Sequence, residues 1–570
     1  MNDKVKTGNS VVLEQLLADG MSHMFGAPGT SEEGFLDALK DYPELKYILA
    51  LQESIAVLMA DGYARATQKP TLVQIHSTPG LGNAIGSLYQ AKKGHSPLVV
   101  IGGDAGVKYQ AMDAQMAGDL VAMAEPVTKW SVMVTDPSSL LRILRRAIKV
   151  AATPPMGPVY VCLPMDMLDA PAVETVRPTL IPSSKVLPET EILEKAATIL
   201  ASAQKPMIFV GDGIAYSNAQ AELTKVAELL GAEVWCADSG EVNISTAHPL
   251  YQGSTGHMFG YHSLPITQKG DVNLICGTYM LPEVFPELGD IFRADAKVIH
   301  FDLDSDNIGK NHRVDIGSLG DPKITLAKLA EILEKTITSE QIKTAQARTQ
   351  EFSKLNQAKL DKELAADKQV RDLVPLHFSR FAEELAAQLP EDAIIFNEAL
   401  TCSPALDRYI TAINPGQNFI TRGGSLGVGI PGAIGVKLAN PDKTVVGVVG
   451  DGGGMFTIQG LWSAARHNIN TKFVICNNRS YKLLQLNVLE YWKVSDIEPH
   501  DFPLCFDLSK PEIRFDQIAR GLGVEAVRVE TPEQIAPAIK QALAHDGPFL
   551  IDLVLEGDTQ PDLIGKRCGQ

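Results

Sequence analysis

Val445–Tyr481 reads VVGVVGDGGGMFTIQGLWSAARHNINTKFVICNNRSY. A β-branched run, Val445–Val449, ends on Gly450-Asp451-Gly452-Gly453-Gly454; a helical segment follows, and a second apolar run, Phe473–Cys476, ends on Asn477-Asn478. The pattern is strand, turn, helix, strand. Parallel strands joined in this way open on one edge of the sheet, where ligands sit in such folds. Asp451 and Asn478 then face one point with hard oxygen donors, a few of which Mg²⁺ takes together with phosphate oxygens and water. Gly450, Gly452 and Gly453 let a diphosphate approach the backbone closely. No Gly-Lys-Ser/Thr follows, which excludes a Walker loop.

The spacing narrows this further. Gly450-Asp451-Gly452, 24 intervening residues and Asn477-Asn478 together resemble the thiamine diphosphate binding motif of the thiamine-dependent decarboxylase and acetolactate synthase superfamily. A second Gly-Asp-Gly, at 211–213, also follows a strand pattern, but the position 27 residues beyond its aspartate is Ser239. That copy is expected to be a structural turn.

Outward from this motif the chain alternates strand and helix patterns in three units, so the expected fold is α/β, with three doubly wound parallel-sheet domains. They cover 1–180, 190–335 and 373–560, joined by a Pro-rich connector at 167–188 and a polar, helical one at 336–372. A length of 570 residues suits about three to four domains. A net charge of −17 and a pI near 5.2 speak against nucleic acid or anionic lipid as a partner. No apolar run has membrane-spanning length, and the N-terminal segment reads as an amphipathic helix starting near Asn9 or Ser10 rather than a signal peptide. The seven scattered cysteines fit reduced thiols, so a cytoplasmic location is expected.

In the first unit Glu53 closes a strand, Tyr47–Leu51, and opens a helical segment. A carboxylate there either favours the positive helix terminus or, desolvated, exchanges a proton with a ring nitrogen. His76 ends the strand pattern LVQIH beside a glycine-containing turn, where a histidine is either a satisfied polar residue or an acid–base group. The superfamily resemblance extends over both. Leu51-Gln52-Glu53 with Ala60-Asp61-Gly62-Tyr63-Ala64 is similar to the segment carrying the activating glutamate. His76-Ser77, Gly80-x-Gly82-Asn83-Ala84, Pro28-Gly29, His95-Ser96-Pro97-Leu98 and Lys129-Trp130-Ser131 resemble the benzoylformate decarboxylase branch.

The resemblance implies thiamine diphosphate and Mg²⁺ as cofactors and a 2-oxo acid as substrate, decarboxylated without oxidation to an aldehyde and CO₂. Acetolactate synthase-like carboligation and 2-hydroxyacyl-CoA lyase-like cleavage are the alternatives, and a nucleotide in the middle unit would favour either of them. By the same resemblance Glu53 activates the cofactor through its aminopyrimidine, His76 is an acid or base toward the substrate, and Thr30 replaces a substrate-contacting serine. Pro28, Gly29 and Asn83 approach the cofactor from the first unit; Thr401, Gly424 and Leu426 do so from the third. Asp451, Asn478 and the Ser480 carbonyl hold the metal. The first unit of one chain faces the third unit of another in this superfamily, implying a homodimer or homotetramer with shared sites. The branch's second catalytic histidine has no counterpart in 277–287; His257 and His262 are the nearest in sequence, either exposed loop residues or replacements for it. Leu483, Leu484 and Leu486 either wall an apolar pocket or pack a helix into a core.

Overall fold

The computed structural model describes residues 6–557 and contains three six-stranded, wholly parallel sheets. The tips of the first and third domain ranges, and Cys568, lie outside the described residues. From edge to edge the first sheet runs Lys46–Leu49, His23–Gly26, Thr71–His76, Leu98–Asp104, Val159–Pro164, Trp130–Met133. The third runs Asn418–Ile420, Ile394–Glu398, Val445–Gly450, Thr471–Asn477, Phe549–Val554, Glu525–Val529. Numbered along the chain, both have the order 2-1-3-4-6-5. The middle sheet instead has the order 3-2-1-4-5-6, with Pro206–Val210 and Val272–Cys276 flanking the point where the order reverses.

The central strands are continuous apolar runs because each buries both faces. Leu72 and Val99 enter one core while their neighbours Val73 and Val100 enter another; Val446 and Val448 part from Val445 and Val449 in the same way. The core containing Val73 and Val445 is shared between the first and third domains. There the helix Glu53–Thr67 crosses the helix Gly429–Ala439 at close range. A Cβ on Gly62 would collide with the Gly432 carbonyl, and one on Gly435 with the Met59 carbonyl.

The middle domain is tied in by buried charge. Arg422 pairs with Asp212 (3.4 Å) and Asp238 (2.8 Å), and Arg65 with Glu241 (2.8 Å). The polar connector is one long helix, Ser339–Val370, started by a Thr338/Gln341 capping box. The six described cysteines are free thiols, and among the described residues no helix is long and apolar enough to cross a membrane. The first helix, Gly8–Ala18, starts slightly earlier than its pattern suggests, and the strand expected at Tyr47–Leu51 is Lys46–Leu49.

Candidate active site

The strand Val445–Gly450 delivers Asp451 to the sheet edge as the first residue of a short helix, where it is buried. One carboxylate oxygen accepts the Gly452 N–H (2.8 Å), the other the Arg479 N–H (2.6 Å). The second bond pins the turn after the neighbouring strand onto Asp451, and Arg479 adopts a left-handed φ of 60° to make it. Desolvation pushes the Asp451 carboxyl up to about 6, against these N–H donors. The two asparagines separate in role. Asn477 donates to Asp552 on the next strand (2.9 Å), whereas Asn478 sits in the pinned turn, its Oδ1 accepting the Ser480 N–H (2.9 Å).

A second turn, 423–427, closes this half. Gly423, Gly424 and Gly427 all have positive φ, and Thr457 ties the Gly427 carbonyl to the Asp451 helix region (2.6 Å). Beneath lies Glu398, fully buried at a strand end, accepting the N–H groups of Gly427 and Gly429 (2.5 Å each). Burial pushes its carboxyl up to about 7. A Cβ on Gly424 or Gly450 would meet nothing within 4 Å, so the edge is an open cradle with backbone exposed to an incoming group. Thr401 is half-buried in the turn after Glu398, and Leu426 half-buried in the glycine turn.

The first domain presents its own sheet edge. Gln52 caps the helix that Glu53 begins, accepting from Ser54 (2.7 Å) and Ile55 (3.3 Å) N–H groups. That frees the Glu53 carboxylate, which takes the Asn83 amide (2.9 Å) and lies against Gly80. His76 ends its strand with Nδ1 toward Glu32 (3.1 Å) and Ser31 (3.1 Å). A Cβ on Gly29 would overlap the His76 ring, and one on Gly103 the Glu32 carboxylate. Pro28 and Thr30 are exposed; the hydroxyl that meets His76 belongs to Ser31. Ser31 and Glu32 had no motif to mark them: their roles come from the short 3₁₀ turn Thr30–Glu32, which folds them back under the strand ends.

Each half is thus assembled within the chain, but no hydrogen bond among the described residues links Glu53, Asn83 or His76 to the Asp451–Asn478 turn. Helix Lys482–Val494, directly after that turn, buries Trp492 yet leaves Leu483 and Leu486 half-exposed and Leu484 exposed, so its leucines do not enter a core. The middle domain reaches this helix through Tyr261, whose hydroxyl donates to Glu490 (2.6 Å). His262 packs edge-on against Tyr261 (4.4 Å), while His257 is exposed with its carbonyl accepting the Val284 N–H (3.1 Å). The other Gly-Asp-Gly is a structural hub: Asp212 accepts from Gly240, Glu241 and Asn243 and pairs with Arg422.

Three family profiles cover most of the chain. Residues 6–123, 193–329 and 400–553 match the N-terminal TPP binding, central and C-terminal TPP binding domains of thiamine pyrophosphate enzymes. Benzoylformate decarboxylase of Pseudomonas aeruginosa is 30% identical, over 96% of this chain and 99% of that protein. A probable acetolactate synthase large subunit of Methanococcus aeolicus is also 30% identical, over 98% and 93%. Among solved structures, a thiamine diphosphate-dependent 4-hydroxybenzoylformate decarboxylase of Rhodococcus jostii RHA1 superposes with a TM-score of 0.83 at 28% identity, covering 97% of this chain and 99% of that one.

Proposed function

The chain belongs to the thiamine pyrophosphate enzyme family, and from that premise we propose that it decarboxylates a 2-oxo acid non-oxidatively, giving an aldehyde and CO₂. When bound, thiamine diphosphate supplies a nucleophilic carbon and an electron sink for the departing carboxylate. The residues present suit that group: an open glycine cradle at 424 and 450 for the diphosphate, and Glu53 held by Asn83 at the other edge for the aminopyrimidine. Among the described residues no group of three or more His, Cys, Asp or Glu is arranged to hold a metal. Mg²⁺ would accordingly draw on Asp451, Asn478, the Ser480 carbonyl and diphosphate oxygens, a sparse protein set that suits this ion.

In this reading Glu53 exchanges a proton with the pyrimidine ring nitrogen, and His76 moves a proton to or from the substrate-derived group. Pro28 and Gly29 meet the pyrimidine, Thr401, Gly424 and Leu426 the remainder of the cofactor. The leucines at 483, 484 and 486 would wall the side of an apolar, benzoylformate-like substrate. With no hydrogen bond among the described residues joining Glu53, Asn83 or His76 to the Asp451–Asn478 turn within one chain, a homodimer or homotetramer would complete each site from two copies.

The observation that favours decarboxylation over the rival activities lies in the middle domain. Its first strand–helix turn, where a dinucleotide diphosphate would approach in this strand order, carries the buried Asp212 carboxylate, already paired with Arg422. The N–H groups there are already used, Gly213 by the Gly277 carbonyl (3.0 Å) and Ala215 by Asn243 (3.1 Å). Those two N–H groups are therefore not free for a dinucleotide diphosphate, and the cavity beside the turn is lined instead by Tyr216, Tyr279 and Arg422. The test is a panel of aryl and alkyl 2-oxo acids supplied with thiamine diphosphate and Mg²⁺, following CO₂ release. Lack of cofactor-dependent turnover of every member would sink the proposal.

A further inference from the structure

We propose that Glu32 is a positioning residue that fixes the tautomer of His76, placing the proton on Nδ1 and presenting Nε2 to the substrate. This rests on the acid–base role given to His76 above. The hydrogens can be accounted for one by one. The Ser31 hydroxyl donates its single proton to Glu32 Oε1 (2.8 Å), so toward His76 Nδ1 (3.1 Å) it can only accept. Glu32 Oε2 (3.1 Å) and Oε1 (3.3 Å) also face Nδ1. With Glu32 ionised, three acceptor oxygens surround one ring nitrogen, and the arrangement calls for the proton on Nδ1. Nε2 has no hydrogen-bond partner among the described residues and is the nitrogen left to act.

The pairing is built into the backbone. Glu32 is only 4% exposed, on a turn packed against the ends of the strands Thr71–His76 and Leu98–Asp104. Gly29 and Gly103 leave room, one for the imidazole and the other for the carboxylate, because any side chain at either position would occupy the same space. Burial raises the Glu32 carboxyl above its ordinary value, but the Ser31 hydroxyl, His76 and the Gly103 N–H all oppose that shift. A carboxylate that accepts from every neighbour is the arrangement these contacts complete. The acid thus works through the histidine rather than on the substrate, as the third group does in nucleophile–base–carboxylate arrangements.

The experiment is ¹⁵N NMR of histidine-labelled, cofactor-free protein at a pH where the ring is neutral, with His76→Asn identifying the resonances. The expected result is the Nδ1-protonated tautomer; an Nε2-protonated ring overturns the proposal. In Glu32→Gln, whose amide can donate as well as accept, the two tautomers should mix. Turnover of the loaded enzyme should fall at least about tenfold and by no more than the ~10²–10⁴ that acid–base catalysis contributes. KM and C2-proton exchange of the bound cofactor should stay at wild-type values. An unchanged tautomer in Glu32→Gln overturns the assignment whatever the activity; if that variant does not fold, the wild-type tautomer decides alone. The expected tautomer in a protein that decarboxylates nothing would refute the functional reading and leave this one standing.

Discussion

Replacing Gly29 with alanine tests the placement of His76, whose ring the new methyl would overlap. Gly29 has φ −148° and ψ 179°, extended backbone that alanine adopts freely, so no strain arises in the chain itself. The obstacle is the imidazole. The new methyl would lie 2.0 Å from Cγ of His76, and an ordinary contact begins at 3.4 Å, which displaces the ring by about 1.4 Å. A misplacement of roughly 1 Å costs about 10² in rate, or about 2.7 kcal/mol of transition-state stabilisation. Aldehyde production, followed through a coupled alcohol dehydrogenase, should accordingly fall by about two orders of magnitude. Cofactor retention should persist. The decisive comparison is a double-mutant cycle with His76→Ala, because the methyl has little to displace once the ring is gone. Gly29→Ala should then add almost nothing. Losses that multiply would show that Gly29 acts through the cofactor's pyrimidine and would refute the reasoning.

Glu53→Gln keeps an oxygen for the Asn83 amide, so folding and cofactor affinity should survive while hydrogen–deuterium exchange at the cofactor C2 slows by roughly 10²–10⁴. Glu398 makes a pH-dependent contribution of known sign. Its native carboxyl, at about 7, lies above the ordinary value of 4.5, so between these values the folded chain binds the extra proton and gains stability as pH falls. The difference in unfolding free energy between wild type and Glu398→Gln should shift in favour of wild type by up to about 3 kcal/mol from pH 7 to 4.5, and a flat difference would contradict the buried ionisable group. Gly435→Ala forces a methyl onto the Met59 carbonyl across the helix crossing and should destabilise by about 1–3 kcal/mol. Gly86→Ala, where the same methyl meets nothing within 4 Å, should instead stabilise by about 0.5–1 kcal/mol in thermal or denaturant unfolding.

The sheet centres and the turns at the edge of the third sheet were legible in the sequence because their signals are local. Val445–Val449 and Phe473–Cys476 are buried on both faces and read as unbroken apolar runs, and Asp451 and Asn478 follow each run directly. Other edge strands, unlike Lys46–Leu49, were not legible: Trp130–Met133 is only partly buried along its length, Ile316–Leu319 alternates with exposed residues, and Asn418–Ile420 is three residues long. Glu53 could be picked out, but not that Gln52 takes over the helix cap and releases it. Glu32, Ser31 and Glu398 went unmarked. Each owes its place to groups far along the chain, His76 and Gly103 for the first two and Gly427 and Gly429 for the third, and no motif marks these residues in the sequence. Thr30, the residue suggested by the superfamily motif, is exposed, and the hydroxyl against the histidine is one position later.

Product stoichiometry distinguishes decarboxylation to an aldehyde from carboligation. Purified protein loaded with thiamine diphosphate and Mg²⁺ is given a single aryl 2-oxo acid, and CO₂ and organic products are quantified together by gas trapping and proton NMR. One aldehyde per CO₂, lost on removing either the cofactor or Mg²⁺, is the predicted result. A 2-hydroxy ketone as the main product, or CO₂ release that continues without the cofactor, would contradict it.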